Sequence, residues 1–172
     1  MQKIILVGYM AVGKTTIAEL LSKKTKIHWI DLDKMIEKEA GLNISEIFSQ
    51  KGEVHFRKLE HRLFKENVES NADLIISTGG GTPCYANSHL LLNGESAISF
   101  YLKASIDTIF GRLKSEKEQR PLVANQSEEE LKEFIAKHLF ERSYFYNQST
   151  HTIAIDGKSP ETIVQEILDL LN

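Results

Sequence analysis

The chain has 172 residues, of which 41% are hydrophobic and 26% charged, and its formal net charge is −3. This length predicts a single domain over residues 1–172, and the acidic balance provides no basic surface for nucleic acid or anionic lipid. No apolar run reaches the roughly eighteen residues of a membrane span, and the lone Cys84 can form neither an internal disulfide nor a Cys-based zinc site. We therefore expect a cytoplasmic monomer without nucleic-acid or membrane partners.

Short strands and helices alternate along the chain. Strands are predicted at Lys3–Val7, Ile27–Ile30, Leu74–Ser77, Ala97–Leu102 and Thr152–Ile155. Helices are predicted at Thr15–Ser22, at Lys34–Ala40, over Ser45–Val68 with Gly52 as a candidate break, and from Pro160 onward with Ser159 as the N-cap. This alternation predicts a mostly parallel sheet covered on both faces, with ligands at the carboxyl ends of its strands.

The segment GYMAVGKTT follows the first predicted strand and opens the first predicted helix. Its residues Gly8, Gly13, Lys14 and Thr15 match the pattern G-x-x-x-x-G-K-[ST] in the structural context that this phosphate-binding loop requires. Glycines let backbone N–H groups turn toward phosphate oxygens, lysine neutralises them, and the threonine hydroxyl is available to Mg²⁺. The alternative is a glycine turn with a solvated lysine. The sequence has neither the G-x-G-x-x-G pattern of a dinucleotide fold at this position nor an N-K-x-D guanine motif.

Two carboxylates follow the second predicted strand, at Asp31 and Asp33. If the segment stays extended, residues two apart point the same way, so one acid can support hydrated Mg²⁺ while the other accepts a substrate hydroxyl proton. The alternative is that Asp31 or Asp33 simply caps the helix Lys34–Ala40.

Glycines and arginines supply the remaining candidate residues. Gly79, Gly80 and Gly81 follow the third predicted strand, where the absence of Cβ atoms lets a ligand lie on the backbone, although a flexible turn has the same composition. Arg57 in GEVHFR, taken alone, is typical of a solvated helix face. Arg120 falls in a polar segment that is typical of a mobile flap, and Arg142 ends the helix that follows this flap.

Taken together, these motifs resemble the shikimate kinase family of the P-loop, nucleoside-monophosphate-kinase-like class. The likeness covers nearly the whole chain and rests on GYMAVGKTT, DLD at 31–33, GEVHFR at 52–57, TGGGTP at 78–83, RPL at 120–122 and the arginine before Tyr146. The resemblance implies a three-layer α/β/α P-loop NTPase fold with a five-stranded parallel sheet in the order 2-3-1-4-5. It also implies a substrate-binding region at about residues 33–62 and a lid at about residues 113–127.

The resemblance further implies a role for each candidate residue. ATP is bound by Ala11, Val12, Gly13, Lys14, Thr15 and Thr16, by Arg120 from the lid, and by Arg112 with the 158–160 loop beside adenine. Mg²⁺ is expected to be held by Thr15 directly and by Asp31 through water. The resemblance implies that shikimate is bound by Asp33, Arg57, Gly79, Gly80, Gly81 and Arg142, with the two arginines on its carboxylate. It implies Lys14, Asp33 and Arg120 as the catalytic residues.

Two departures from the family pattern carry expectations of their own. The family usually has glycine at the position of Ala11, and we expect ordinary backbone dihedrals there, because a left-handed conformation would cost about 1 kcal/mol. Ser143-Tyr144-Phe145 stands where the family has x-Pro-Leu before the tyrosine, which leaves the local path of the chain open.

The activity that the resemblance implies is transfer of the ATP γ-phosphoryl group to the 3-hydroxyl of shikimate, in chorismate and aromatic amino-acid biosynthesis. Two other functions remain open. A gluconate-kinase-like or nucleotide kinase would share the loop and the lid, whereas an ATP-binding regulatory module would lack phosphoryl transfer altogether.

Overall fold

The structure is a computed structural model that describes residues 2–116 and 126–171, and within these residues it has five strands and seven helices. The strands are β1 (Lys3–Val7), β2 (His28–Asp31), β3 (Leu74–Ser77), β4 (Ala97–Lys103) and β5 (His151–Ala154). The helices are α1 (Lys14–Thr25), α2 (Leu32–Ala40), α3 (Ile44–Lys51), α4 (Glu53–Val68), α5 (Ile106–Ser115), α6 (Glu128–Tyr146) and α7 (Pro160–Leu171). Short 3₁₀ turns lie at Thr82–Cys84 and Ser88–Leu91.

All strand pairs in the sheet are parallel, and their order is β2-β3-β1-β4-β5, which confirms the expected topology. Strand β1 lies in the middle, between β3 and β4, and Ile4, Ile5, Leu6 and Val7 are completely buried. A central parallel strand is covered on both faces, which explains why the run IILV has no polar alternation.

The helix boundaries follow from identifiable local signals. Gly52 divides the long helical pattern between α3 and α4, as its candidate role predicts, and takes φ 85° and ψ 165°. Asn43 and Glu46 form a reciprocal capping box at the start of α3. The hydroxyl of Ser159 accepts a hydrogen bond from the Thr162 amide at 3.2 Å, which confirms the predicted start of α7.

Helix packing leaves the carboxyl edge of the sheet open to its loops. Helix α1 packs against α7 and against β1, β2 and β3, whereas α2, α3 and α4 pack on one another between β2 and β3 in the chain. Helix α5 packs against α6. No helix among the described residues has both the length and the apolar character needed to span a membrane. Because β1, β2 and β3 are parallel, the loops that follow them lie at the same edge of the sheet.

Candidate active site

The loop after β1 closes around the side chain of Lys14. The buried Lys14 Nζ donates hydrogen bonds to the carbonyls of Gly8 and Tyr9, both at 2.8 Å, so the ammonium group is held inside the loop. A Cβ atom at Gly8 would lie 2.8 Å from the Leu102 carbonyl oxygen, so only glycine fits where β1 enters the loop. Gly13 precedes α1 with φ 94°, another conformation that glycine favours. The loop thus presents Lys14 and a helix N-terminus to the same place.

Ala11 corrects one expectation from the sequence. Its φ is 63°, so the residue lies in the left-handed region and the expectation of ordinary dihedrals is wrong. The loop keeps the backbone turn even though alanine replaces glycine, at a cost of about 1 kcal/mol. Arg112 Nη1 donates a hydrogen bond to the Ala11 carbonyl at 3.1 Å, which links α5 to this strained turn.

Asp31 caps α2 and also contacts the phosphate-binding loop. Its Oδ1 accepts a hydrogen bond from the Lys34 amide at 3.2 Å and caps α2, while its Oδ2 accepts a hydrogen bond from Thr15 Oγ1 at 2.8 Å. Ser77 Oγ lies 3.5 Å from the same threonine oxygen. This set of oxygen atoms suits Mg²⁺, which proteins usually hold with one or two carboxylates while substrate phosphates and water complete the shell.

Asp31 and Asp33 do not point the same way along an extended segment as predicted, although their negative charges still interact. The strand ends at Asp31 and α2 begins at Leu32, so the segment does not stay extended. Asp33 instead projects from the first turn of the helix and lines a cavity of about 270 Å³ together with the phosphate loop, residues 77–80 and Glu116.

Each of the three consecutive glycines lies against a different candidate side chain. A Cβ atom at Gly79 would lie 2.9 Å from Asp33 Oδ1, and one at Gly81 would lie 2.8 Å from Arg57 Nη1. One at Gly80 would lie 3.4 Å from Arg142 Nη1. The glycines after β3 therefore bring together one acid and two arginines from three separate helices of the chain.

Arg57 is not the solvated residue that its sequence context alone suggests. Its side chain is only 16% exposed, and its Nη1 forms an ion pair with Glu60 Oε2 at 2.8 Å. The guanidinium carbon lies 3.9 Å from the centre of the Tyr85 ring, a cation–π contact. These contacts fix the guanidinium group beside Gly81.

Glu60 is a site residue that the sequence reasoning missed. It is 2% exposed, and besides Arg57 it accepts a hydrogen bond from Thr82 Oγ1 at 2.7 Å. The signal is an acidic residue within the apolar face of α4, between Phe56 and Leu63, three residues after an arginine. A buried carboxylate in such a stripe needs a charged partner, and Arg57 supplies it.

Arg142 reaches the site from α6. Its guanidinium carbon lies 5.6 Å from the centre of the Tyr9 ring, and Tyr146 donates a hydrogen bond to the Gly80 carbonyl at 2.5 Å. Helix α6 runs without a break through Ser143, Tyr144 and Phe145 to Tyr146. The departure from the family pattern in this segment therefore leaves the chain helical and Arg142 beside the glycines.

Asp33 and Cys84 both have raised pKa values. Partial burial, and then the negative charges of Asp31 and Glu60, raise the pKa of Asp33 to about 6, although its side chain stays exposed to the cavity. Burial raises the pKa of the Cys84 thiol to about 11, against the opposing effect of Arg142 and Arg57. Of these two groups, Asp33 is the one that titrates near neutral pH, where an acceptor for a hydroxyl proton is most effective.

The other expected ATP-binding residues are only partly placed. Val12 is buried in the core, while Gly13, Thr15 and Thr16 line the cavity. Arg120 and most of the expected lid lie outside the described residues. A second groove of about 400 Å³, lined by Ser70, Leu91 and Gly94 among others, contains none of the candidate residues. Lys14, Thr15 and Asp33 line the smaller cavity instead.

Comparisons with known proteins agree on one family. The family model for shikimate kinase matches residues 10–172. A shikimate kinase from Flavobacterium johnsoniae is 57% identical over 171 residues, which cover 99% of each chain. The crystal structure of shikimate kinase from Bacteroides thetaiotaomicron superposes with a TM-score of 0.90 at 34% identity, covering 99% of this chain and 98% of that one. A shikimate complex of the enzyme from Acinetobacter baumannii gives a TM-score of 0.87 at 30% identity, covering 99% and 93%.

The parallel sheet in the order 2-3-1-4-5, with a phosphate loop after its central strand, defines a P-loop kinase of the nucleoside-monophosphate-kinase-like class. The matched sequences and structures narrow this class further. The chain belongs to the shikimate kinase family, and it is accordingly an ATP-dependent transferase that phosphorylates shikimate.

Proposed function

We propose that this chain moves the γ-phosphoryl group of ATP to the 3-hydroxyl of shikimate by direct in-line displacement, with the residue roles set out below. The observation that carries the proposal is the convergence of Asp33, Arg57 and Arg142 on Gly79–Gly81, next to the loop that holds Lys14. One acid and two guanidinium groups complement a small substrate that has hydroxyl groups and one carboxylate.

Arg57 and Arg142 pair with the carboxylate of shikimate, and Gly79–Gly81 let the ring approach the backbone. This orientation directs the 3-hydroxyl to Asp33 and to the terminal phosphate. The hydroxyl oxygen attacks the γ-phosphorus, its proton passes to the Asp33 carboxylate, and the bond from the γ-phosphorus to the β–γ bridging oxygen breaks. ADP leaves with the electron pair of that bond. A pKa of about 6 keeps Asp33 ionised at neutral pH yet basic enough to accept the proton.

Positively charged groups stabilise the phosphate oxygens during transfer. Lys14 lies in the loop for this purpose, and Arg120, outside the described residues, is proposed to reach the γ-phosphate. Thr15 and Asp31 would hold Mg²⁺, which when bound supplies further neutralisation of the β- and γ-phosphates. Arg112, which contacts the Ala11 carbonyl, is proposed to lie beside adenine together with the 158–160 loop.

A coupled assay for ADP release tests the proposal and separates it from its alternatives. We expect ADP formation that depends on shikimate and Mg²⁺, with little turnover of gluconate or nucleoside monophosphates. Preferred turnover of gluconate or of a nucleotide would replace the proposed substrate. Tight ATP binding without ADP formation on any of these acceptors would instead indicate a regulatory module.

We also propose that the protein acts as a cytoplasmic monomer with no nucleic-acid or membrane partner. The net charge of −3 and the single cysteine support this proposal. Light scattering of the purified protein should give the mass of one chain, and a mass of two or more chains would contradict the monomer.

A further inference from the structure

Three side chains on one face of α6 connect this helix to the active site. His138, Arg142 and Tyr146 are four residues apart, which places them one above another on the helix surface. Tyr146 donates to the Gly80 carbonyl, Arg142 lies beside Gly80, and His138 contacts Tyr9 of the phosphate loop. Arg142 is therefore flanked by two residues that bond to other parts of the site.

Tyr9 links the phosphate loop to α6 through three different groups. Its carbonyl accepts a hydrogen bond from Lys14, its ring lies 5.6 Å from the Arg142 guanidinium carbon, and its hydroxyl lies 2.9 Å from His138 Nδ1. The side chain is 1% exposed, so its hydroxyl cannot exchange this partner for bulk water. His138 therefore supplies a hydrogen-bond partner for the Tyr9 hydroxyl inside the fold.

The protonation states of Tyr9 and His138 bear on which atom donates the hydrogen bond between them. Burial raises the pKa of Tyr9 to about 12, so the phenol keeps its proton. Burial lowers the pKa of His138, and so do the positive charges of Arg142 and Lys137, whereas the negative charge of Glu141 raises it. The net lowering favours the neutral imidazole. A neutral imidazole can accept at Nδ1, and the buried phenol has a proton to donate. We therefore assign Tyr9 as the donor and place the ring proton of His138 on Nε2. Phe134 packs on the imidazole with its centroid 4.2 Å away, which restricts the ring further.

We propose that His138 is a positioning residue for shikimate binding. Its hydrogen bond to the Tyr9 hydroxyl fixes the aromatic ring beside the Arg142 guanidinium, and this contact aims Arg142 at the substrate carboxylate. The inference rests on the proposed role of Arg142. In this role His138 contacts neither substrate. The effect should be confined to shikimate, because the Tyr9 carbonyl that accepts a hydrogen bond from Lys14 belongs to the backbone and does not depend on the hydroxyl.

The test compares His138→Leu, Tyr9→Phe and the double variant by steady-state kinetics. Loss of one hydrogen bond predicts a rise of about fivefold in the KM for shikimate in each single variant, with the KM for ATP unchanged. The double variant should be no worse than the more affected single variant, because both changes remove the same bond. His138→Asn, whose amide oxygen can occupy the place of Nδ1, should restore most of the affinity.

Phe140→Leu on the same helix is the matched control, since Phe140 is 84% exposed and should leave both KM values unchanged. If His138→Leu does not fold, Tyr9→Phe and His138→Asn still decide the question. Additive effects in the double variant, an equal rise in the KM for ATP, or an unchanged KM for shikimate would overturn the inference.

Arg142→Ala, measured in parallel, separates the proposed binding role of Arg142 from the positioning role of His138. If this variant leaves the KM for shikimate unchanged, the role of Arg142 itself is wrong and the inference is overturned with it. If Arg142→Ala raises this KM strongly while His138→Leu and Tyr9→Phe do not, only the positioning role of His138 is wrong.

Discussion

At the level of single residues, Arg57 and Arg120 are expected to affect different kinetic constants. Arg57 is nearly buried beside Gly81, where it can bind the carboxylate in the ground state and the transition state alike. Arg57→Ala should therefore raise the KM for shikimate by about 10- to 100-fold with a smaller effect on kcat. Arg120→Ala should instead lower kcat by about 10³-fold, because inserted arginines act mainly on transition-state charge.

Arg62→Ala is the matched control for Arg57→Ala on α4. Arg62 pairs with Glu39 and Glu66 at a side-chain exposure of 50%, so its removal should change neither constant. Circular dichroism must confirm folding, since Arg57→Ala also leaves Glu60 buried without its charged partner. Full activity in both Arg57→Ala and Arg120→Ala would contradict the assigned roles.

The raised pKa of Asp33 predicts that this residue destabilises the fold at neutral pH. Its pKa is about 6 in the folded protein and about 4 in an unfolded chain, so the folded state favours the protonated acid. The stability contributed by this group is fully present below pH ~4 and is lost as the pH rises through ~6. Asp33→Asn should therefore increase the free energy of unfolding at neutral pH by about 1 kcal/mol, a value reduced for solvent screening of the exposed carboxyl.

Urea denaturation without nucleotide or Mg²⁺ measures this effect. The gain should disappear below pH ~4, where the carboxyl is protonated in both states. Asp169→Asn, at an exposed position of α7, is the control. Equal stability of Asp33→Asn and the native chain at neutral pH would show that the folded state does not disfavour the ionised form of Asp33.

The placement of single residues was predictable where the pattern is local. Lys14 and Thr15 follow from the loop motif, because one short segment determines both the turn and the helix start. The conformation of Ala11 was not predictable from alanine's own preferences, because the closure of the loop overrides them. Glu60 was missed because one of its partners, Thr82, is 22 residues away along the chain.

At the level of elements, the junction between α3 and α4 depends on one glycine. Gly52 has φ 85° and ψ 165°, a region open essentially to glycine alone, while a Cβ atom there would meet nothing within 4 Å. Gly52→Ala should thus cost about 1–3 kcal/mol through the backbone only. It should also raise the KM for shikimate, because α4 carries Arg57 and Glu60.

Thermal denaturation and steady-state kinetics check this prediction. Gly94→Ala is the control, since a Cβ atom there also meets nothing and no positive φ is involved. If the two alanine variants were equally stable, the conformation of Gly52 would not constrain the junction.

Element types followed from the sequence more reliably than element ends. Hydrophobic runs and turn residues located both ends of all five strands to within one residue, and Gly52 marked the helix break. The failure at Asp31–Asp33 has a physical cause. Asp31 is an effective N-cap, so the chain enters α2 at Leu32 instead of continuing as a strand.

At the level of the whole molecule, the proposed substrate site joins distant segments, so shikimate binding there should stabilise the entire fold. Asp33 lies on α2, Arg57 on α4 and Arg142 on α6, and the glycines follow β3. Shikimate at 100 times its Kd should increase the free energy of unfolding by about 2.7 kcal/mol.

Thermal unfolding with and without shikimate measures this linkage, with gluconate as the comparison ligand. At the same shikimate concentration the stabilisation should fall to about 0.4–1.4 kcal/mol in Arg57→Ala and be retained in Arg62→Ala. An undiminished shift in Arg57→Ala would mean that shikimate binds elsewhere.

Only part of the overall arrangement of strands and helices was predictable from the sequence. The alternating elements predicted a parallel sheet and an edge for ligands, while the strand order came from the family resemblance. Which side chain faces which glycine depends on the packing of α2, α4 and α6 around the loop after β3, and no local pattern encodes that packing.

The raised pKa of Cys84 makes the native chain convenient for site-directed labelling. With a pKa of about 11 in place of 9.0, this thiol has roughly one hundredth of the thiolate of an ordinary cysteine at neutral pH. A cysteine introduced at the exposed position Glu95 should therefore react with a maleimide dye long before Cys84 does. A fluorophore could then be attached far from the catalytic groups without first removing the native cysteine.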